Sequence, residues 1–327
     1  MPNYQGVWSL STQYQAQGQG NWPSPPLTGD TAIIFSISSA SDGIQYQQIA
    51  SGGNTIEFGS LVPSGLTSSY NGSMSSSTYA LQTQFSTSGN RSDVRYVTIV
   101  TKGNTQDWGD LNRDCWLAAC ASNNTRGIMF GNAGQSTSYI TYISLSSQGN
   151  ASDFGTYQDS TYYQQGMALS STTRAVTAGG YHAAVSAPTY ATDTMEYVTI
   201  ASTGNGTDFG NLTVARRQGG ASGSNTRGLF LGGANNSNYQ INTIDYITIA
   251  STGNATDFGD LTQGRYTTST SNATKSVCYG GYVASPATSY NIIDAVTIAS
   301  TGNATDYGDL QSFTLGSAAS NAHGGLS

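Results

Sequence analysis

One sixteen-residue stretch is repeated along the whole of this chain. It reads YITIASTGNATDFGDL at residues 246–261, YVTIVTKGNTQDWGDL at 96–111, YISLSSQGNASDFGTY at 142–157, YVTIASTGNGTDFGNL at 197–212 and AVTIASTGNATDYGDL at 295–310. A worn copy, YQQIASGGNTIEFGSL, lies at 46–61. The turn glycines Gly53, Gly103, Gly149, Gly204, Gly253 and Gly302 set a register with steps of 50, 46, 55, 49 and 49 residues. A period near 50 residues points to a solenoid or a propeller, because a unit of that size buries its apolar face only against its neighbours.

Each copy has strand chemistry. Tyr246, Ile247, Thr248 and Ile249 are aromatic or β-branched and suit a pleated, half-buried surface. Gly253-Asn254 reads as a tight turn, since both residues tolerate a positive φ. Asp257 reads as an Asx-type turn acceptor that opens a short return segment, and Phe258 as a wedge between neighbouring units.

The residues between the copies complete a unit of three strands and a short closing segment. In residues 212–261, LTVARRQGGASGSN is a first strand region with Arg216 at its start, and TRGLFLGG is a second strand ending in Gly232-Gly233. TIDYITIAS is the third strand, and TDFGDL closes the unit, either as a short fourth strand or as a turn segment. The second strand recurs with a basic residue at Arg126, Arg174, Arg227 and Lys275, each 18 to 21 residues after the turn acid Asp107, Asp153, Asp208 or Asp257. That offset predicts an ion pair tying one unit to the next, favoured here over two solvated charges because charges are scarce. An exposed pair would contribute only ~0–1 kcal/mol.

The first unit lacks its first strand, and the C-terminal end holds a spare one. LQSFTLGSAASNA at 310–322 matches LTQGRYTTSTSNA at 261–273, so joining the two ends makes one whole unit, as a propeller closes its ring. Without residues 1–28 the chain has 299 residues, about 50 for each of six blades. The expectation is an all-β, six-bladed propeller over residues 29–327, closed by pairing of residues 310–322 with the first blade. Seven blades, using the VWSL segment near Trp8, is the second choice.

Residues 1–28 stand outside the repeat as an N-terminal arm. Trp8, Leu10 and Trp22 are apolar anchors in a Gln/Gly-rich stretch that ends at Pro23, Pro25 and Pro26, which block helix and central strand alike. The arm either packs on the propeller or attaches it to a partner. The two tryptophans favour attachment, being enriched at interface hot spots.

Composition narrows the function classes. Charged residues make up only 9% of the chain and the net charge is −7, with no basic run or basic-aromatic cluster, so a nucleic-acid partner is not expected. No apolar run reaches the ~18 residues that span a bilayer, and the start, MPNYQGVWSL, shows no secretory signal. Cys115, Cys120 and Cys278 form no CxxC pair and read as small buried residues. The sequons at Asn205, Asn254 and Asn303 are explained by turn composition.

Catalytic signals are missing from the sequence. His182 and His323 are the only histidines; no HExxH, P-loop, GxSxG or Cys/His spacing occurs, and the recurrent acids sit at equivalent turns that a ring would hold apart. No enzyme activity, cofactor or metal site is expected. The connections between second and third strands, at 132–139, 181–193, 234–242 and 282–291, vary in length on a constant frame. They carry tyrosine among Ser, Asn and Thr, which suits adaptable hydrogen bonding and sugar stacking. Tyr139, His182, Tyr190, Tyr239 and Tyr290 are the candidate ligand-binding residues, with relaxed loop constraint as the equal alternative.

A hydrophobic strand ending in Gly-Gly, then a tyrosine strand and an aromatic before a loop, resembles the kelch repeat. Gly179-Gly180, Gly232-Gly233 and Gly280-Gly281 carry the double glycine; Phe154, Phe209, Phe258 and Tyr307 stand where kelch has Trp, which only Trp108 keeps. YITIASTGNATDFGDLT with TRGLFLGG resembles repeat proteins of tailed phages that infect marine cyanobacteria. GVWSLSTQYQAQGQGNWP at 6–23 resembles segments of phage tail-fibre-type proteins. The resemblance covers roughly residues 30–320 and implies a virion protein, assembled in the host cytoplasm and contacting other tail or capsid proteins through the arm. A host-surface glycan or receptor is its implied ligand. An enzymatic propeller acting on surface polysaccharide, or a head-decoration protein with no receptor, are the alternatives.

Overall fold

A computed structural model of the chain describes residues 27–37, 43–61, 72–83, 93–113, 116–132, 138–158, 163–182, 191–237, 239–311 and 315–326. Trp8, Leu10, Trp22, Tyr190 and Cys115 fall outside them. Six four-stranded antiparallel sheets, five of them built from strands that follow one another along the chain and one closed by a C-terminal strand, form a six-bladed β-propeller, with a two-stranded pair beside them; no helix occurs among the described residues.

Blade two consists of Ser73–Ser75, Tyr79–Thr83, Asp93–Thr98 and Gln106–Asp110. Blade three is Trp116–Ser122, Arg126–Asn132, Ser138–Ser144 and Ser152–Thr156, and blade four Met167–Ser170, Arg174–Ala178, Thr194–Thr199 and Thr207–Asn211. Blade five is Gly220–Gly223, Arg227–Leu231, Thr243–Thr248 and Thr256–Asp260; blade six is Tyr266–Ser271, Lys275–Ala284, Ala287–Thr297 and Thr305–Asp309. Blade one takes its inner strand, Leu315–Ser320, from the C-terminal part, paired antiparallel with Thr31–Ile37 and followed by Gly43–Gln48 and Ile56–Ser60. The first strands of successive blades touch in a closed circle around the axis.

The strand seam reproduces local chemistry found elsewhere in the ring. In blades three and six the first turn is fixed by an Asn side chain: Asn123 Oδ1 accepts from Arg126 N at 2.9 Å and Asn272 Oδ1 from Lys275 N at 2.7 Å. At the seam, Asn321 Oδ1 accepts from Thr31 N at 2.7 Å, so the same turn bond is made between residues 290 apart in sequence.

The repeated stretch is a clamp between blades. In every third–outer strand pair the register slips by one residue at the same place, for example between Ile244 and Asp245, so that Phe258 has no partner across the ladder. The same bulge recurs in the other five blades. It turns the unpaired aromatic into the space between sheets, as bulges re-aim side chains. Phe258 is buried with Leu229, Leu231 and Ile244 of its own blade and with Cys278, Val296 and Ile298 of the next. Six such clusters, one at each blade–blade interface, make up the core. The expected wedge is therefore present, and the expected Asx turn too: Asp257 Oδ1 accepts from Gly259 N at 3.2 Å.

The Gly-Asn pair works differently from the turn chemistry expected of it. Gln165 and Gln218 are the only non-glycine residues with positive φ among those described, so Asn254 is not there for backbone freedom. Its Oδ1 accepts from Asn211 N of the preceding blade at 3.0 Å, while Gly253 N donates to Phe209 O at 2.7 Å and Ala255 N to Asn211 O at 2.8 Å. The set of three bonds is repeated at all six interfaces; the ring closes with Gly53 N to Tyr307 O, Thr55 N to Asp309 O and Asp309 N to Asn54 Oδ1. Gly259 must be glycine: its φ is +144°, and a Cβ there would lie 2.5 Å from the carbonyl oxygen of Gly302. The sequon asparagines are thus occupied in blade contacts.

Two further expectations are corrected. Arg126, Arg174 and Arg227 do not pair with the turn acids. Each stacks on a tyrosine of its own blade (Tyr142, Tyr197, Tyr246) and donates to two carbonyls at the end of the next blade's third strand. Arg174, for example, reaches Ile249 O at 3.1 Å and Ala250 O at 2.9 Å. Lys275 is too short to reach them and donates to Tyr307 OH at 2.5 Å, which in turn donates to Ile49 O at 2.7 Å. The turn acid Asp153 pairs instead with Arg113, at 2.8 Å on the surface. Residues 282–291, expected as a loop, continue the ladder of blade six in a long hairpin, with Tyr282 opposite Ser289 and Gly281 opposite Tyr290.

Candidate functional site

Antiparallel strands place the second-to-third connections and the outer-to-inner connections at one end of the propeller, and the tight turns at the other. The two ends of the axial channel differ accordingly. At the turn end the residues after the closing strand fold across the axis. Gly324 N donates to Gly223 O at 3.0 Å, and His323 Nε2 lies 3.3 Å from both Ser122 Oγ and Ser75 O. Gly325 N donates to His323 Nδ1 at 3.1 Å, which places the remaining proton on Nε2, facing the Ser75 carbonyl. The residue as a whole is half-buried, but its ring is enclosed, and ring enclosure governs titration: loss of hydration lowers its pKa from 6.5 to about 4.

Around that plug runs a circle of hydroxyls. Ser75 Oγ donates to Ser320 O (2.7 Å), Ser122 to Ser75 O (2.8 Å), Ser170 to Ser122 O (2.6 Å), Ser271 to Gly223 O (2.7 Å) and Ser320 to Ser271 O (2.5 Å). Blade five breaks the circle by having Gly223 in place of serine, and it is there that Gly324 crosses.

The loop end holds a cavity of about 120 Å³ whose walls come from the inner strands of all six blades, among them Ser73, Ala119, Ala168, Ala221, Ser269 and Ser317. Ser73 Oγ donates to Ala318 O at 2.8 Å. Ser269 Oγ and Ser317 Oγ are buried and have no hydrogen-bond partner among the described residues. The rim carries the two left-handed glutamines, Gln165 (φ 61°) and Gln218 (φ 58°). Such non-glycine backbones cost on the order of 1–3 kcal/mol and are held by their surroundings. Here Gln218 N donates to Gln165 O at 2.8 Å, and Arg217 NH1 donates to both side-chain oxygens, at 2.7 Å and 3.2 Å. Tyr266 and Tyr282 stack nearby, with ring centroids 6.4 Å apart and planes inclined by 9°.

Two buried ion pairs support this end. Arg216 NH2 meets Asp245 Oδ2 at 2.7 Å and Arg265 NH1 meets Asp294 Oδ2 at 2.9 Å, all four side chains being fully buried. Burial lowers the Arg216 pKa despite the carboxylate beside it. The Arg216 and Arg265 carbonyls accept from Gly180 N and Gly233 N, second glycines of the double-glycine strand ends, both at 2.9 Å. Burial likewise pushes the Cys278 thiol up.

Of the residues expected to bind ligand, Tyr139, Tyr239 and Tyr290 are distributed around this face and do not line the cavity, and Tyr190 lies outside the described residues. Tyr139, in blade three, lies under the Arg113 guanidinium at 3.9 Å; Tyr239, in the connection of blade five, is 70% exposed; Tyr290 is half-buried in the blade-six hairpin. The backbone of His182 pairs with Tyr163 in the small two-stranded ribbon of blade four. Gln165, Arg217, Gln218, Ser269 and Ser317 are not among the residues that tyrosine in variable loops singles out. The Gln-Gly pairs at 165–166 and 218–219, each at the start of a first strand, were the available signal.

The fold defines the chain as a six-bladed β-propeller. No known protein family matches its sequence, and no curated protein does.

Proposed function

We propose that this chain is a non-enzymatic, kelch-like propeller of a tailed-phage virion that binds a host-surface glycan on its loop-bearing face and attaches to the particle through residues 1–28. The observation that carries the reading is the coincidence of two features on one face. The variable connections and the loop-side end of the channel lie together, and the groups at the channel mouth are tyrosine, glutamine and serine with Arg217 beside them, while the nearby Asp245 and Asp294 carboxylates are buried in ion pairs. Aromatic planes with neutral amides and hydroxyls are the chemistry of sugar recognition. The double glycines fit the kelch-like assignment, since they carry the second strands into backbone contact with the next blade. The virion setting is supported by the resemblance of the repeat and by a composition of 9% charged residues.

The test is binding of purified protein to surface polysaccharide from host cells, with released reducing ends measured in the same reaction. Retention on the polysaccharide without product is expected. Product release would replace binding by hydrolysis, and absence of binding together with a position on the capsid head would reduce the role to decoration.

A further inference from the structure

We propose that a pocket at the turn end of blade six receives one aromatic side chain, a phenylalanine of a partner polypeptide on the particle, in the space that a tyrosine of the chain itself fills in the other five blades. The pocket stands on geometry alone, and the choice of partner rests on the attachment to the particle proposed above.

The sixteen-residue stretch opens with Tyr46, Tyr96, Tyr142, Tyr197 and Tyr246 in blades one to five, but with Ala295 in blade six. Each of the five tyrosines packs edge-on against the wedge of its own blade, with ring centroids 5.0 to 6.2 Å apart. In blades three, four and five an arginine stacks on it as well, the Arg227 guanidinium lying 4.7 Å from the Tyr246 centroid. Blade six keeps this frame and lacks the ring. Ala295 is opposite Thr305 as Tyr246 is opposite Thr256, and Lys275 opposite Thr297 as Arg227 is opposite Thr248. Ala295, Lys275, Thr305 and Tyr307 are the counterparts of Tyr246, Arg227, Thr256 and Phe258, and together they line a pocket of about 250 Å³.

A space left by a missing ring can take up a ring from elsewhere, and a cavity of ~150 Å³ suffices for benzene. Two groups select an aromatic guest over an aliphatic one. The Lys275 ammonium, which already lies 4.3 Å from the Tyr307 centroid, attracts a π face. Tyr307 itself offers a ring for edge-on or offset contact. The order of the walls selects phenylalanine over tyrosine. Ser300, Thr301 and Thr305 are exposed at the mouth, whereas Ala295 is only 7% exposed at the bottom. A side chain entering from solvent presents the tip of its ring to the Ala295 methyl, where a phenol hydroxyl would be left unpaired. Ser300 and Thr301 belong to the tight turn, so the pocket opens at the turn end. Leu27 N donates to Val100 O at 2.8 Å, just past the third strand of blade two, so the described chain begins at that same end. The attachment segment and the pocket therefore share one face of the propeller.

The experiment is saturation-transfer NMR titration of the full chain with N-acetyl-phenylalaninamide, N-acetyl-tyrosinamide and N-acetyl-leucinamide, on the native protein, Ala295→Tyr and Lys275→Met. Assembled particles are then blotted for the native protein and for Ala295→Tyr. The phenylalanine amide should bind weakly, and the other two about threefold more weakly or less still. Ala295→Tyr refills the space, so probe binding should fall by about tenfold or more while the melting temperature does not fall. Lys275→Met should weaken binding by about two- to fivefold. Incorporation of Ala295→Tyr into particles should be reduced. No binding of the phenylalanine amide, binding that Ala295→Tyr leaves unchanged, or a melting temperature lowered by that substitution overturns the pocket. Equal binding of the leucine amide overturns its selection of a ring, and equal binding of the tyrosine amide overturns the choice of phenylalanine. Self-association of the native chain that Ala295→Tyr reverses assigns the pocket to a second copy, and normal incorporation of Ala295→Tyr removes the particle as partner; either overturns the proposal. A native chain absent from particles, with probe binding that Ala295→Tyr abolishes, removes the proposed attachment and leaves the ring pocket standing.

Discussion

At the scale of single residues, the buried ion pairs are where one side chain matters most. Arg216 has lost its hydration and, among the described residues, has Asp245, Thr243 O and Phe230 O as side-chain partners and none for its Nε. Removing the carboxylate strands the guanidinium, so Asp245→Ala should cost about 3–5 kcal/mol in urea unfolding, while replacing both residues by well-packed apolar ones should be nearly neutral. A loss below ~1 kcal/mol in the single variant would show that the arginine reaches water instead. His323 makes a second residue-level prediction. Its folded pKa of about 4 lies below the unfolded value of 6.5, so the unfolded chain takes up the proton first as pH falls. Its contribution is therefore whole above pH 6.5 and is lost as pH drops from 6.5 to 4, by up to about 3 kcal/mol. Stability curves of the native protein and His323→Gln should diverge across that window; parallel curves would mean that the ring is solvated.

At the scale of elements, the outer strand with its bulge is what holds one blade to the next. Phe258 fills an interface formed by two blades, so Phe258→Ala should cost about 3–5 kcal/mol by the cavity it leaves, read from thermal or urea melting. A loss below ~1 kcal/mol would mean that the ring packs on a surface rather than between sheets. This wedge was legible in the repeat because an aromatic recurring beside a glycine has one obvious use in stacked units. The role of the basic residues was not legible. An offset of 18 to 21 residues from acid to base is as compatible with an ion pair as with none. The carbonyls that Arg174 reaches lie 75 and 76 residues away, in a strand whose end carries no side-chain signal. Backbone acceptors are identical at every residue, so only their position in space distinguishes them.

For the whole molecule, the seam decides whether there is a ring. Leu315–Ser320 covers the edge of Thr31–Ile37 and brings Ala318 and Ala319 into the clusters on either side of blade one. Deleting residues 315–326 should expose an unpaired strand edge, remove the plug at the turn end, and convert cooperative unfolding into a broad transition with self-association. A truncated chain that remained monomeric with an unchanged melting curve would overturn closure through this strand. The unit boundaries, the six-fold count, the missing strand of blade one and its spare copy were all readable beforehand. They follow from strand chemistry, which is local, and from the arithmetic of a repeat, which needs no coordinates. The tertiary structure alone decided the rest. Bringing six inner strands to one axis makes neighbours of Ser269 and Ser317, leaves their hydroxyls without partners among the described residues, and puts Arg217 between two glutamines 53 residues apart in sequence. The serines and glutamines among them do not depart from the neutral polar background of the sequence. Their chemistry arises because closing the ring removes water from positions that a single blade would leave exposed.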